Sequence, residues 1–149
     1  MAVLAQKTFA HYLIVRDVEP SFVLVAVVWY AIRVNSRNAA IYGLIAGLLE
    51  DLLATGTGGA FIISTTIVAV SASVISRGFF ADSFALVATI TAVATLLRQL
   101  VFWIVMAATG YPPGLSTLHL HEAILQAIYN GVTMLIVMAI ARRFDSRYA

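Results

Sequence analysis

The chain has no cysteine, few charged residues and no block of one charge sign. The missing cysteines exclude thiolate chemistry and cysteine-ligated metals, and say little about compartment. Only 11% of the 149 residues are charged, against about 25% in soluble domains, so the chain cannot cover itself with polar surface. The net charge is +2 and the basic residues are scattered, so the basic stripe of a nucleic-acid binder is missing. No G-x-S-x-G occurs, no Ser or Thr has a recognisable partner base, and "TGTGG" (Thr55–Gly59) has no following Lys to make a phosphate loop. Lys7 and His11 interrupt the opening residues, so no cleavable signal peptide is expected.

What remains is apolar: 62% of the residues are hydrophobic. The chain reads as an all-α integral membrane protein, one compact transmembrane domain over residues 1–149 with no room for a separate soluble domain. A helix crossing the hydrocarbon needs about 20 apolar residues, with roughly 17 as the usual minimum. Ser83–Thr109 and Leu118–Ala141 satisfy this comfortably, and Ala39–Ala54 and Ala60–Ile75 lie near the limit. Ser21–Ile32 is short and would have to borrow Arg33 and preceding residues to span, and Val3–Val15 is the weakest candidate. The expected fold is therefore a bundle of about six transmembrane helices, the first of them weak. Short breaks separate the segments, which makes neighbouring helices antiparallel. Arg33, Arg37, Arg77, Arg142, Arg143 and Arg147 all fall on one side of such a bundle, which the positive-inside rule assigns to the cytoplasm, C-terminus included.

The stretch "GLIAGLLEDLLATGTGG" (Gly43–Gly59) raises the main question, because it sets Glu50 and Asp51 side by side within an apolar run. On the six-segment topology, Glu50, Asp51, Arg98 and Glu122 share one depth in the outer half. A charge facing lipid costs on the order of 2.5–3.5 kcal/mol on insertion scales, so each must face the bundle or water. Arg98 is the cation at that level, and pairing with Asp51 or Glu122 is expected. Adjacent helical residues point about 100° apart, so Glu50 and Asp51 cannot both meet one partner. One acid makes the ion pair; the other reaches the outer interface or a partner protein. The four charges read as a lock for the bundle, as a partner contact or, less simply, as an ion path, for which no relay of further acids continues inward.

Gly43 and Gly47 form a G-x-x-x-G pair, which lets membrane helices approach closely, here as an internal packing face or a partner face. In "HLHE", His119 and His121 are two apart and point to different sides of a helix, so no metal site is expected. Gln99 and the "YNG" of Tyr129–Gly131 read as interhelical hydrogen bonders. No cofactor, metal or catalytic residue is predicted, and an enzyme is not expected.

Three stretches carry a resemblance to a known family: "EPSFVLVAVVWYAIRVNSR", "YGLIAGLLEDLLATGTGGAFIIS" and "AIYNGVTMLIVMAIARRF". Together, over residues 20–143, they resemble MreD, the small membrane protein of the bacterial rod-shape (elongation) machinery. Asp51, Gly43 and Gly47 match the family's pattern; Ser21 follows Pro20 where an acid is common. The resemblance implies a non-enzymatic component of the bacterial cytoplasmic membrane that helps organise peptidoglycan synthesis and cell shape. The partners it implies are MreC, the glycan polymerase RodA, a class B penicillin-binding transpeptidase and, on the cytoplasmic side, MreB. It also implies a fold like the S components of energy-coupling-factor transporters. A true S component, binding a vitamin or metal ion at its outer side, is the alternative. Against it, Ala2, Ala5 and Ala10 do not give the Ala-x-x-x-Ala face that would dock a coupling subunit.

Overall fold

The computed structural model describes residues 21–54, 57–78, 83–110 and 116–145, the side chains of 116–119 and 145 excepted. Among the described residues there are five α-helices and no strand: α1 (Phe22–Ala31), α2 (Ser36–Leu53), α3 (Ala60–Gly78), α4 (Phe84–Ala108) and α5 (Ser116–Asp145). They match the last five expected segments to within a few residues. The expected first segment, residues 3–15, lies outside the described residues, so the six-helix count has no structural support. Among the described residues, three helical stretches are long and apolar enough to cross a membrane: Ala60–Gly78, Phe84–Ala108 and Leu120–Phe144.

α1 is the exception in length. Its 10 residues rise about 15 Å, half of a hydrocarbon core of about 30 Å. It does not borrow Arg33 to lengthen itself. The helix stops at Ala31, and the Arg33 guanidinium turns back over the Trp29 ring, 3.3 Å from its centroid, and donates to the Trp29 carbonyl at 2.7 Å. Partial burial there lowers the pKa of Arg33. α1 can be short because it is a core element: Val23, Leu24, Val25, Val27, Val28 and Ala31 are all buried, and it touches each of the other four helices. A helix apolar on every side belongs inside.

The other helices pack around it. α2 starts at the cap of Asn35, whose side chain accepts from the Asn38 backbone N–H at 2.9 Å. It runs antiparallel to α3, and the two make the most extensive helix pair among the described residues. α3 buries a face of small and hydroxyl residues, including Ser64, Thr65, Ala69, Ala72 and Ser73. Their hydroxyls find partners: Ser73 donates to the Val34 carbonyl at 2.8 Å, and Ser64 to that of Phe61 at 3.4 Å. α4 and α5 form the second close pair. The core is made of Val23, Leu24, Val27, Val28, Val68, Val87, Met134 and their neighbours, near the middle of the bundle. Arg33, Arg37, Arg77, Arg142 and Arg143 gather at one end, where α2 and α4 begin and α3 and α5 finish. Glu50, Asp51 and Arg98 lie toward the other.

Candidate functional site

The polar centre of the molecule is built around Arg98. Its α4 position, three turns from the helix end at Ala108, aims it inward, where it is 7% exposed. Glu50, in the last turn of α2, meets it. Arg98 Nη2 donates to both Glu50 oxygens at 2.8 Å. The two side chains are 8% and 13% exposed. The Thr65 hydroxyl of α3 donates to Glu50 Oε2 at 3.3 Å, giving the carboxylate a third helix. Arg98 Nη1 donates to Ser21 Oγ at 3.0 Å, and the same oxygen caps α1 by accepting from the Leu24 N–H at 3.3 Å.

From Ser21 the network continues into α5. The Ser21 backbone N–H donates to Asn130 Oδ1 at 2.8 Å, and Asn130 Nδ2 donates to Thr95 Oγ1 at 3.1 Å. Thr95 in turn donates to the Thr91 carbonyl at 2.8 Å. Asn130, Thr95 and Thr65 are fully buried, and no buried side-chain N or O among the described residues lacks a partner. One connected set of hydrogen bonds therefore ties all five helices together. A buried network satisfied at every member rigidifies a core, whereas a partly satisfied one is costly.

Asp51 does something different. Its carboxylate leaves the helix about 100° round from Glu50 and reaches across the turn to the start of α3. Asp51 Oδ2 accepts from the Ile62 N–H at 2.9 Å and Oδ1 from the Phe61 N–H at 3.3 Å, while the Thr57 hydroxyl also donates to Oδ1. These N–H groups belong to the first turn of α3, which has no partners of its own within the helix. An anion there is favoured by the helix dipole as well. The turn that permits this approach runs through Gly58 (φ 55°) and Gly59 (φ 90°), backbone angles that favour glycine.

The expected pairing of Arg98 with Asp51 or Glu122 is thus corrected. The carboxylate that Arg98 meets is that of Glu50. Asp51 is short, faces α3 and is held by backbone N–H groups, and Glu122 is exposed on α5. Nor does either neighbouring acid simply point outward; both are half-buried and engaged within the chain. Gln99 donates to Gln126 across the α4–α5 seam, and Asn130 bridges helices as expected. Ser21, Thr57, Thr65, Thr95 and Gln126 were not anticipated, because a lone hydroxyl or amide in an apolar run has no distinguishing spacing. His121 is exposed, and the His119 side chain lies outside the described residues.

Gly43 and Gly47 face α3. A Cβ on Gly47 would lie 2.6 Å from the Phe61 carbonyl and 2.7 Å from Ile62 Cα; one on Gly43 would lie 2.7 Å from Ala69 Cβ and 2.9 Å from the Thr65 carbonyl. The pair is an internal packing face. It brings α2 close enough for Asp51 to reach the α3 N-terminus and for Glu50 to reach Thr65.

Above the ion pair lies a cleft of about 220 Å³ lined by Ser21, Glu50, Phe61, Arg98, Gln99, Phe102 and Gln126. The Arg98 guanidinium sits 5.0 Å from the Phe61 ring centroid, and Phe61 packs on Phe102 at 4.8 Å. The cleft is smaller than the roughly 300–1,000 Å³ of small-molecule sites, and its walls are part polar and part aromatic, with polar groups enough to hold a few waters.

This arrangement of a paired-glycine helix, an acid pair and a capped glycine turn lies within a sequence match to one family model, described as rod shape-determining protein MreD, over residues 1–144. The chain belongs to the MreD family. No curated protein and no solved structure matches it, so the likeness to transporter S components finds no structural counterpart. The match reaches beyond the residues 20–143 that carried the resemblance, and includes the opening segment. The chain is therefore a rod shape-determining membrane protein of that family, its apolar helices fitting a multi-pass arrangement. Among its described residues no group of three His, Asp or Glu side chains is placed to hold a metal ion.

Proposed function

We propose that this member of the MreD family is a non-enzymatic scaffold of the elongation machinery in the bacterial cytoplasmic membrane, where it binds MreC and helps organise peptidoglycan synthesis. The family match over residues 1–144 carries the reading. The geometry supports it in one respect: three of the four charges at that level hold the bundle together, Glu50 on Arg98 and Asp51 on the α3 N-terminus. A rigid bundle offers a fixed outer surface for partner helices, and the lipid-facing side of α2 is broad and apolar, with Ile41, Leu44, Ile45, Leu48 and Leu52 exposed. RodA, the class B transpeptidase and MreB are further partners on this reading. The basic end of the bundle faces the cytoplasm, by the positive-inside rule.

The test is gentle-detergent purification of the tagged protein from its own cells, with mass spectrometry of what accompanies it. MreC and the wall-synthesis enzymes are the expected companions. An ATPase pair with a coupling subunit would overturn the scaffold reading. The transporter alternative is not favoured by the family match, and the small cleft at Arg98 adds nothing to it.

A further inference from the structure

The arginines at the basic end of the bundle are not equally engaged. Arg33 lies over the Trp29 ring and Arg142 over that of Phe84. Arg37, in the first turn of α2, and Arg77, in the last turn of α3, are exposed. Arg77 is tied to the neighbouring helix: its Nη2 donates to Ser36 Oγ at 3.2 Å, one residue before Arg37. Neither guanidinium meets a carboxylate among the described residues.

Helix geometry puts both on one side of the α2–α3 seam. At about 100° per residue, Arg37 lies about 40° round α2 from Asp51, which reaches the start of α3. It lies about 140° from Tyr42, which stacks on Tyr30 of α1. On α3, Arg77 is about 40° from Ser73, whose hydroxyl donates to the Val34 carbonyl just before α2. The two cations thus flank one seam, and the Ser36 contact holds Arg77 there. Two turns deeper and about 20° off the same lines come Leu44 below Arg37 and Val70 below Arg77. Leu48 and Ile63 lie beyond them, 41% and 45% exposed. Paired cations at the membrane boundary, above an apolar strip, have the polarity of an anionic phospholipid. An acidic peptide would match the cations alone; the strip, which faces hydrocarbon, matches an acyl chain. The guanidinium donors form a fork that suits phosphate oxygens.

We propose that Arg37 and Arg77 together bind the phosphate of one anionic phospholipid, with an acyl chain laid along the α2–α3 seam. This depends neither on the partner proteins named above nor on which face of the membrane the basic end occupies.

The experiment is native mass spectrometry of the full chain in detergent, titrated separately with dioleoylphosphatidylglycerol and dioleoylphosphatidylcholine. The chain should bind phosphatidylglycerol more tightly, each arginine contributing about fivefold to the preference. Arg37→Gln and Arg77→Gln should therefore each lower it about fivefold. Both positions are exposed, so both variants should melt as the wild type does. Arg143→Gln removes the same charge from the same end, but on α5, and should leave the preference unchanged. Excess inorganic phosphate, which has no acyl chain, should not displace phosphatidylglycerol. Equal binding of the two lipids by the wild type would overturn the proposal, as would an unchanged preference in either Arg37→Gln or Arg77→Gln. An equal drop in Arg143→Gln would assign the preference to diffuse charge and sink the site. Displacement by inorganic phosphate would mark a free-anion site and overturn the lipid reading.

Discussion

Glu50 and Asp51 are neighbours in sequence with unrelated tasks, and the difference comes from one residue's rotation along a helix, about 100°. Glu50 faces α4 and, with a longer side chain, reaches Arg98; Asp51 faces the start of α3 and accepts from two backbone N–H groups. Removing one partner of a buried pair leaves the other charge uncompensated, at about 3–5 kcal/mol. Arg98→Gln and Glu50→Gln should therefore each lower stability by that order, measured as unfolding in detergent. The double variant should fall short of the sum, with a coupling of about 0.5–3 kcal/mol as for directly contacting residues. Asp51→Asn combined with Arg98→Gln should couple much more weakly. A Glu50–Arg98 double variant as damaged as the two single effects added together would show that the pair is not a unit.

At the scale of elements, the α2–α3 hairpin rests on how closely two backbones approach. Gly47 lies against the Phe61 carbonyl and Ile62 Cα, atoms that cannot swing aside, whereas part of what faces Gly43 is the Ala69 methyl. Overpacking of this sort costs about 1–3 kcal/mol. Gly47→Ala should thus destabilise the bundle by that amount, and a bulkier Gly47→Leu by more. Because Asp51 caps the very turn that Gly47 touches, Gly47→Ala should also loosen the start of α3. Faster amide hydrogen exchange at Phe61 and Ile62 than in the wild type is the expected readout; unchanged exchange there would separate the glycine contact from the cap. α1 gives the opposite lesson. It is the shortest of the five described helices, yet its central position lets ten apolar residues join the other four.

For the whole molecule, antiparallel helices sort the charges to two ends. The basic residues Arg33, Arg37, Arg77, Arg142 and Arg143 share one end, and the acid pair with its arginine partner lies toward the other. If the positive-inside rule governs insertion, a reporter fused after residue 149 should be active only as a cytoplasmic protein. A periplasm-dependent reporter active at that position would reverse the orientation. The same antiparallel order makes the Arg98 network possible, because it brings the end of α2, the start of α3 and the middle of α4 to one level.

Several features were legible without coordinates. The membrane class, the helical character and the limits of the last five segments follow from apolar run lengths and from breaks such as "RVNSRN" and "TGTGG". Residue type alone marked Glu50, Asp51, Arg98, Glu122, Gly43, Gly47, Gln99 and Asn130, because a charged or amide side chain, or a paired glycine, within an apolar run requires a reason. What a sequence cannot carry is azimuth and reach. A rotation of about 100° per residue decides which acid meets Arg98, and small shifts in helix position decide whether Ser21 lies beside Arg98 and Asn130 or away from both. Those contacts join residues up to 109 positions apart, and no local pattern encodes them. Membership of the family and the need for an internal cation partner were determined by the sequence itself; the identity of that partner, the capping role of Asp51 and the inward face of the glycines were decided only when five helices packed.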